Sequence, residues 1–180
     1  MNRLMTTSMA TAFVLLTASL CIAAEMKPGP DYEQLKAMEW LIGDWEADWV
    51  VPSAGPLSLD GFSPGAKVHS TCSYYWMQKR NYIGLRFRDE VDGKLAHAGF
   101  EIVGVDPKSK KIIHWLFSII GGNGTGEWSV EDKCWKLKWS GTASDGTTLE
   151  GLGIMVPIDK NTHTWQLKGN KKNGKDTPDT

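Results

Sequence analysis

The stretch Tyr82–Val105, YIGLRFRDEVDGKLAHAGFEIVGV, decides the fold of this 180-residue chain. Apolar and polar or small residues alternate on both sides of its central Asp92-Gly93 dipeptide. A period of two is typical of a strand with one buried face, and Asp-Gly fits a tight type I′ turn. The stretch therefore predicts a β-hairpin.

The same alternation recurs along most of the chain. Short turn signals such as Asp106–Lys110 separate segments of strand length, and helical spacing occurs only around 31–43, after Pro30 and before Gly43. Strands at intervals of about 8–12 residues, with no helix between them, are typical of an antiparallel barrel or sandwich. We expect a mainly β chain: an up-and-down, lipocalin-like barrel of about nine strands with one short N-terminal helix.

The first 24 residues differ in kind from the rest. Arg3 supplies a positive start, an apolar run extends from Met9 to Ile22, and Ala23 and Ala24 follow. This order predicts a signal peptide over 1–24 and an exported protein, periplasmic or extracellular. An uncleaved anchor, or a lipid on Cys21, is the alternative. We expect a linker and short helix over 25–39, one barrel domain over 40–168 and a flexible polar tail over 169–180.

Charge and cysteine content limit the partners. The 20 basic and 21 acidic residues form no basic block, so nucleic acid is not an expected partner, and no apolar run after residue 24 predicts contact with a membrane. Cys72 and Cys134 remain after cleavage of the signal. They are a candidate disulfide in an oxidising compartment, and two free thiols are an equally good interpretation. The oligomeric state is left open.

The nine tryptophans are the strongest compositional feature. The apolar member of each alternation predicts one inner face with the following residues: Trp45, Trp49, Ile83, Leu85, Phe87, Phe100, Ile102, Trp115, Phe117, Trp128, Trp135, Leu137, Trp139, Met155, Trp165 and Leu167. Charged residues, Arg86, Arg88 and Glu101 among them, then fall on the outer face, as do His97 and His114. Tryptophan fills space and also lines ligand sites, so the rings either close the barrel or line a pocket.

The chain resembles known barrels in two places. Trp40–Trp45 (WLIGDW), directly after a short helix, resembles the entry to the first strand of lipocalin-like (calycin) barrels. Gly99–Pro107 (GFEIVGVDP), Ile112–Phe117, Gly124–Trp128 and Thr162–Gln166 resemble an uncharacterised family of bacterial exported barrel domains, sometimes fused to SnoaL-like domains. A remoter similarity is to nitrobindin-type haem-binding barrels. Those carry a further strand where this chain has its polar tail, which leaves closure of the barrel open.

No nucleophile elbow, zinc motif or phosphate loop is present in the sequence, and Gly121–Gly126 is interpreted as a hairpin loop. The remote resemblance implies haem, for which His163 is the candidate axial ligand; no cofactor and no other metal site is expected otherwise. A β-bulge at Gly99 or Gly104 would flip part of a strand and turn Arg86 and Glu101 into a buried pair; an exposed pair is the alternative.

We therefore expect a small-ligand-binding barrel, holding a hydrophobic or aromatic molecule and lacking a catalytic motif. The alternatives are an isomerase or cyclase acting inside the same pocket, a haem-binding barrel, and an envelope interaction module with a filled barrel. The candidate ligand-binding residues are Trp45, Trp49, Phe87, Phe100, Trp115, Trp128, Trp139, Trp165, Arg86 and His163. An apolar cavity with no titratable group would favour binding, whereas a buried Arg–Glu or His–carboxylate pair would favour catalysis.

Overall fold

The computed structural model describes residues 27–51 and 62–179. A short helix comes first: α1 (Tyr32–Leu35) continues into a 3-10 helix (Lys36–Leu41). Strands follow: β1 (Gly43–Val50), β2 (Lys67–Met77), β3 (Tyr82–Val91), β4 (Lys94–Val105), β5 (Ile112–Ser118), β6 (Asn123–Glu131), β7 (Cys134–Thr142), β8 (Thr148–Asp159), β9 (Thr162–Lys172) and β10 (Lys175–Asp176). The predicted signal peptide lies outside the described residues.

All ten strands form one antiparallel sheet in the order of the sequence, each paired with its neighbour along the chain. The sheet curls into a half-barrel, which confirms the predicted up-and-down, barrel-like architecture. Asp92 and Gly93 both take positive φ angles, as a type I′ turn requires. Among the described residues there are ten strands where about nine were expected, because β9 runs past Gly169 to Lys172 and the chain then turns back as β10.

One end of the curled sheet is filled by the helical segment. Leu35, Met38 and Leu41 are at most 1% exposed and pack against a cluster on one face of the sheet, here called the inner face. That cluster consists of Ile83, Val103, Val105, Trp128, Trp135, Leu137 and Met155. Directly opposed residues of an antiparallel pair point to the same face. Starting from this cluster, the strand register therefore shows which of the remaining side chains lie on the inner face and which lie on the outer face. No helix of the described residues is long and apolar enough to span a bilayer.

Register overturns the predicted faces of β4 and β5. The β3–β4 pairing shifts between Asp89 and Glu90 and leaves Ala96 without a partner, so that Leu85 faces Glu101 instead of Phe100. A one-residue slip moves every side chain of a strand to the other face. Phe100, Ile102, Trp115 and Phe117, predicted to point inward, therefore lie on the outer face, whereas His97, Glu101 and His114, predicted to point outward, lie on the inner one.

The two edges of the sheet approach each other through side chains. The His163 ring of β9 lies edge-to-face with Trp45 of β1, with 4.4 Å between ring centroids, and with Trp40 at 5.7 Å. Trp45 Nε1 donates a hydrogen bond of 2.7 Å to the Leu41 carbonyl, which fixes this indole against the 3-10 helix. Aromatic contacts therefore bring β1 and β9 together beside the helical segment.

Candidate functional site

The inner face carries polar side chains beyond the apolar cluster. Seven of them lie on the adjacent strands β2 to β5 and are called here the polar inner cluster: Ser70, Cys72, Asp89, His97, Glu101, His114 and Ser118. All except His114 are half-buried, so solvent still reaches this half of the inner face. Polar groups at such positions lose water on folding, and each needs a compensating partner.

Glu101 and His114 form the most deeply enclosed contact of the polar inner cluster. His114 Nε2 lies 3.3 Å from Glu101 Oε2, and the two side chains are 5% and 19% exposed. Burial raises the pKa of the Glu101 carboxyl to about 8 and lowers the pKa of the His114 imidazole to about 4. Both groups are therefore uncharged near pH 7, because burial opposes the charged form of each.

His114 has no hydrogen-bond partner on either ring nitrogen among the described residues. The 3.3 Å approach of Glu101 brings the two groups into contact without the alignment of a hydrogen bond. Gly126 leaves the space in which the ring sits, since a Cβ atom there would lie 3.2 Å from His114 Nδ1 and 2.6 Å from Leu137. A buried imidazole with two unsatisfied nitrogens is costly, and a ligand that bonds to it would recover this free energy.

A second set of contacts crosses five neighbouring strands. Trp49 Nε1 donates to Ser70 Oγ at 2.7 Å, and Ser70 Oγ donates to Asp89 Oδ1 at 2.5 Å. The other carboxylate oxygen, Asp89 Oδ2, lies 3.4 Å from His97 Nδ1. His97 Nε2 in turn lies 3.1 Å from Ser118 Oγ. The result is a continuous polar chain from β1 to β5 along the inner face.

Most of the predicted ligand-binding residues lie on the inner face, at different depths. Trp128 belongs to the buried cluster and Trp139 packs against it, whereas Trp165 is 44% exposed and covers Gly153. Phe87 covers Gly99 and packs against the His97 ring, at 5.0 Å between centroids. The other three on this face are Trp45, Trp49 and His163. Their predicted role in binding stays a prediction.

Three predicted ligand-binding residues point away from the inner face. Phe100 and Trp115 lie outside because of the register shift, and Arg86 lies outside as predicted, over the Tyr75 ring. Glu101 is on the opposite face from Arg86, so the proposed Arg86–Glu101 pair does not form. Trp115 lines an outer groove of about 560 Å³ together with Thr125, Ser140, Thr142, Thr148 and Glu150.

His163 does not fit the role of a haem ligand. An axial histidine presents one ring nitrogen to an open porphyrin site and donates a hydrogen bond from the other. Here Trp40 and Trp45 pack directly against the ring, and His163 Nδ1 is buried without a hydrogen-bond partner among the described residues. Burial lowers the pKa of this imidazole. The ring fills the gap between β9 and β1.

Cys72 and Cys134 are both free thiols. Cys72 lies on the inner face of β2, whereas Cys134 lies on the outer face at the start of β7, five strands away, so the candidate disulfide is not formed. Burial raises the pKa of the Cys72 thiol to about 12. No group of three metal-ligating side chains occurs in the described part of the chain.

Sequence reasoning missed the polar inner cluster because it assigned the inner face of β4 and β5 by apolar content. Both faces of β4 are apolar in part, with Phe100 and Ile102 on one and Val103 and Val105 on the other. The sequence did contain one signal for this cluster. His97, Glu101 and His114 are polar residues at alternate positions of strands that carry large apolar residues between them. No protein-family model and no curated protein matches the chain.

Proposed function

We propose that the protein is exported and binds a small molecule with a hydrophobic or aromatic body on its inner face. One observation carries the proposal: the His114 ring is 4% exposed beside the Glu101 carboxyl, and neither of its nitrogens has a hydrogen-bond partner within the described part of the chain. Ligand sites typically combine apolar walls with a few convergent polar groups. Phe87, Leu85 and Leu116 supply apolar side chains on the same face.

The charge state of the site defines the ligand class. The Glu101 carboxyl is protonated and the His114 ring is neutral near pH 7, and burial also raises the pKa of the Tyr74 phenol on the same face. Neutral donors and acceptors suit an uncharged polar group such as a carbonyl or hydroxyl. A ligand carboxylate would lack a charged partner among these three groups and would lose its hydration.

A steric variant tests where the ligand binds. Leu116 is half-buried on the inner face beside Glu101, whereas its neighbour Trp115 lines the outer groove. Titration with Nile red, a neutral apolar fluorophore, should show binding that Leu116→Trp weakens at least about tenfold, because the larger side chain fills the inner face. Trp115→Leu should leave the affinity within about twofold. Binding that is weakened by Trp115→Leu and unchanged by Leu116→Trp would instead place the ligand in the outer groove.

The same titration separates binding from a filled interior. If Nile red does not bind and solvent extraction of the purified protein yields no ligand, the interaction-module alternative replaces the proposal. Export has its own test, since the chain purified from the periplasm or medium should have the mass of Glu25–Thr180. A chain of full-length mass in the membrane fraction would favour the uncleaved anchor.

The contact between Glu101 and His114 also favours a second candidate, an isomerase or cyclase. A carboxyl group and an imidazole with pKa values displaced in opposite directions are suited to give and take a proton from one ligand. The test is exchange: a ligand recovered after incubation in D2O should carry deuterium with the wild type and none with Glu101→Gln. Unlabelled ligand recovered from both proteins would mean that the site binds the ligand without exchanging its protons.

A further inference from the structure

We propose that Ser118, His97 and Asp89 form a nucleophilic site that hydrolyses esters with an apolar acyl group. Asp89 Oδ2 lies 3.4 Å from His97 Nδ1, and His97 Nε2 lies 3.1 Å from Ser118 Oγ. This order of carboxylate, imidazole and hydroxyl is that of an acyl-transfer triad. Such sites are recognised by geometry and roles on unrelated folds, and catalytic hydrogen bonds are often long without substrate. This inference goes beyond ligand binding and uses neither Glu101 nor His114.

The strands bring the three groups together across the sheet. Asp89 and His97 are directly opposed on β3 and β4, just before the register shift, and Ser118 ends β5 opposite Gly99, two residues along β4 from His97. Gly99 has no side chain, so the imidazole can reach past it towards Ser118. The Phe87 ring covers Gly99 and packs on His97, which limits the orientations of the imidazole.

Two further side chains hold the carboxylate. Ser70 Oγ donates to Asp89 Oδ1, and the Trp49 indole donates to the same hydroxyl. Asp89 Oδ2 is thereby left to face the imidazole. Ser70 and Trp49 are positioning residues, because they touch neither the reacting hydroxyl nor its base. In known triads the third member is a carboxylate, and its function is to hold the base in the correct tautomer and orientation.

The nucleophile lies where substrate can reach it. His97 and Asp89 are only 14% and 17% exposed, whereas Ser118 sits at the rim of the sheet, at the start of the β5–β6 turn. Ile119 and Ile120 follow it and are 59% and 41% exposed. Exposed apolar residues beside a nucleophile suit an apolar acyl chain. The Ile120 N–H donates a hydrogen bond of 3.3 Å to Ser118 Oγ, and it is our candidate donor for a developing oxyanion.

The reaction balances with water as the only co-reactant. Ser118 Oγ bonds to the ester carbonyl carbon while its proton passes to His97 Nε2. The bond from carbon to the alkoxy oxygen breaks, and this oxygen takes the proton from His97, which leaves an acyl-serine and a free alcohol. Water then bonds to the acyl carbon while His97 takes its proton. The bond from the acyl carbon to Ser118 Oγ breaks, Oγ takes the proton back from His97, and the carboxylic acid departs.

A covalent probe tests the nucleophile in the unmodified protein. A fluorophosphonate should phosphonylate Ser118 with release of fluoride, and fragmentation of the tryptic peptide 112–133 should place the added mass on that residue. Ser129, exposed on the outer face of β6, lies in the same peptide and is the matched control. Absence of label on Ser118 in folded wild-type protein, after incubation for hours at pH 8, would overturn the proposal.

Kinetic variants test the roles. Hydrolysis of 4-nitrophenyl butyrate should fall at least about 100-fold in Ser118→Ala and stay unchanged in Ser129→Ala. Asp89→Asn should lower kcat with little change in KM, whereas a merely structural role would change both or lower Tm. Equal rates for wild type and Ser118→Ala would refute the site. Labelling of Ser118 should persist in Glu101→Gln, so failure of the binding proposal and failure of this one are distinguishable.

Discussion

Replacing Glu101 with glutamine should change how stability depends on pH. In the folded chain burial raises the pKa of this carboxyl to about 8, against an ordinary value of 4.5. Between these two pH values the unfolded chain has released the proton and the folded chain keeps it. Unfolding therefore releases a proton, and the free energy of unfolding falls by about 1.4 kcal/mol per pH unit.

His114 acts in the opposite direction over a lower range. Burial lowers the pKa of its imidazole from 6.5 to about 4, so between these values the unfolded chain binds a proton that the folded chain excludes. Stability then rises with pH by the same amount per unit. In the wild type the two contributions offset each other from about pH 4.5 to 6.5, and above pH 6.5 only the Glu101 contribution remains.

The expected curves differ in shape. From pH 6.5 to 8 the wild type should lose about 2 kcal/mol of unfolding free energy through Glu101. Glu101→Gln should lose none there and should gain about 3 kcal/mol between pH 4 and 6.5 through His114 alone. The difference between the two proteins should grow to about 5 kcal/mol by pH 8, with other titrating groups cancelling.

Urea unfolding followed by tryptophan fluorescence at fixed ionic strength, from pH 4 to 8.5, measures both curves. Glu46→Gln makes the same chemical change at an exposed position of β1 and serves as the control. A free-energy difference between Glu101→Gln and wild type that does not vary with pH would refute the reasoning, because it would mean that Glu101 ionises alike in folded and unfolded chains.

Three further predictions concern packing, the corrected faces and the free thiols. Ile83→Ala, at a position with 0% exposure in the cluster against the helix, should cost about 2–5 kcal/mol in urea unfolding, whereas Ile158→Ala, at 62% exposure, should stay within about 0.5 kcal/mol. In a double-mutant cycle Arg86→Ala and Glu101→Gln should be additive within about 0.5 kcal/mol, since the two side chains leave β3 and β4 on opposite faces; a coupling above about 1 kcal/mol would restore the buried pair. Cys72 should react with iodoacetamide at pH 8 at least about 100-fold more slowly in the folded protein than in 8 M urea, because burial raises its thiol pKa to about 12 and the thiolate is the nucleophile; equal rates would contradict that burial.

The sequence predicted the architecture well because its signals are local. The type I′ turn at Asp92-Gly93 depends on two adjacent residues, and the alternation in each strand depends on a span of a few more. The predicted set of inner residues holds for β3, β6 and β7, where Ile83, Trp128 and Leu137 all belong to the cluster beneath the helix. The helix itself is shorter than its spacing suggests, and it continues as a 3-10 turn.

The candidate site depends on register, which is not a local property. Ala96 is a single unpaired residue in β4, and its side chain gives no signal that would predict the register shift. Because of it Glu101, and not Phe100, points inward, and β5 follows with His114 inward and Trp115 outward. The sequence by itself determined an up-and-down, barrel-like sheet with one short N-terminal helix, since turns and alternation are encoded within short segments. Only the tertiary structure decided which face of the central strands carries the polar groups, because pairing between strands sets that face and a single extra residue reverses it.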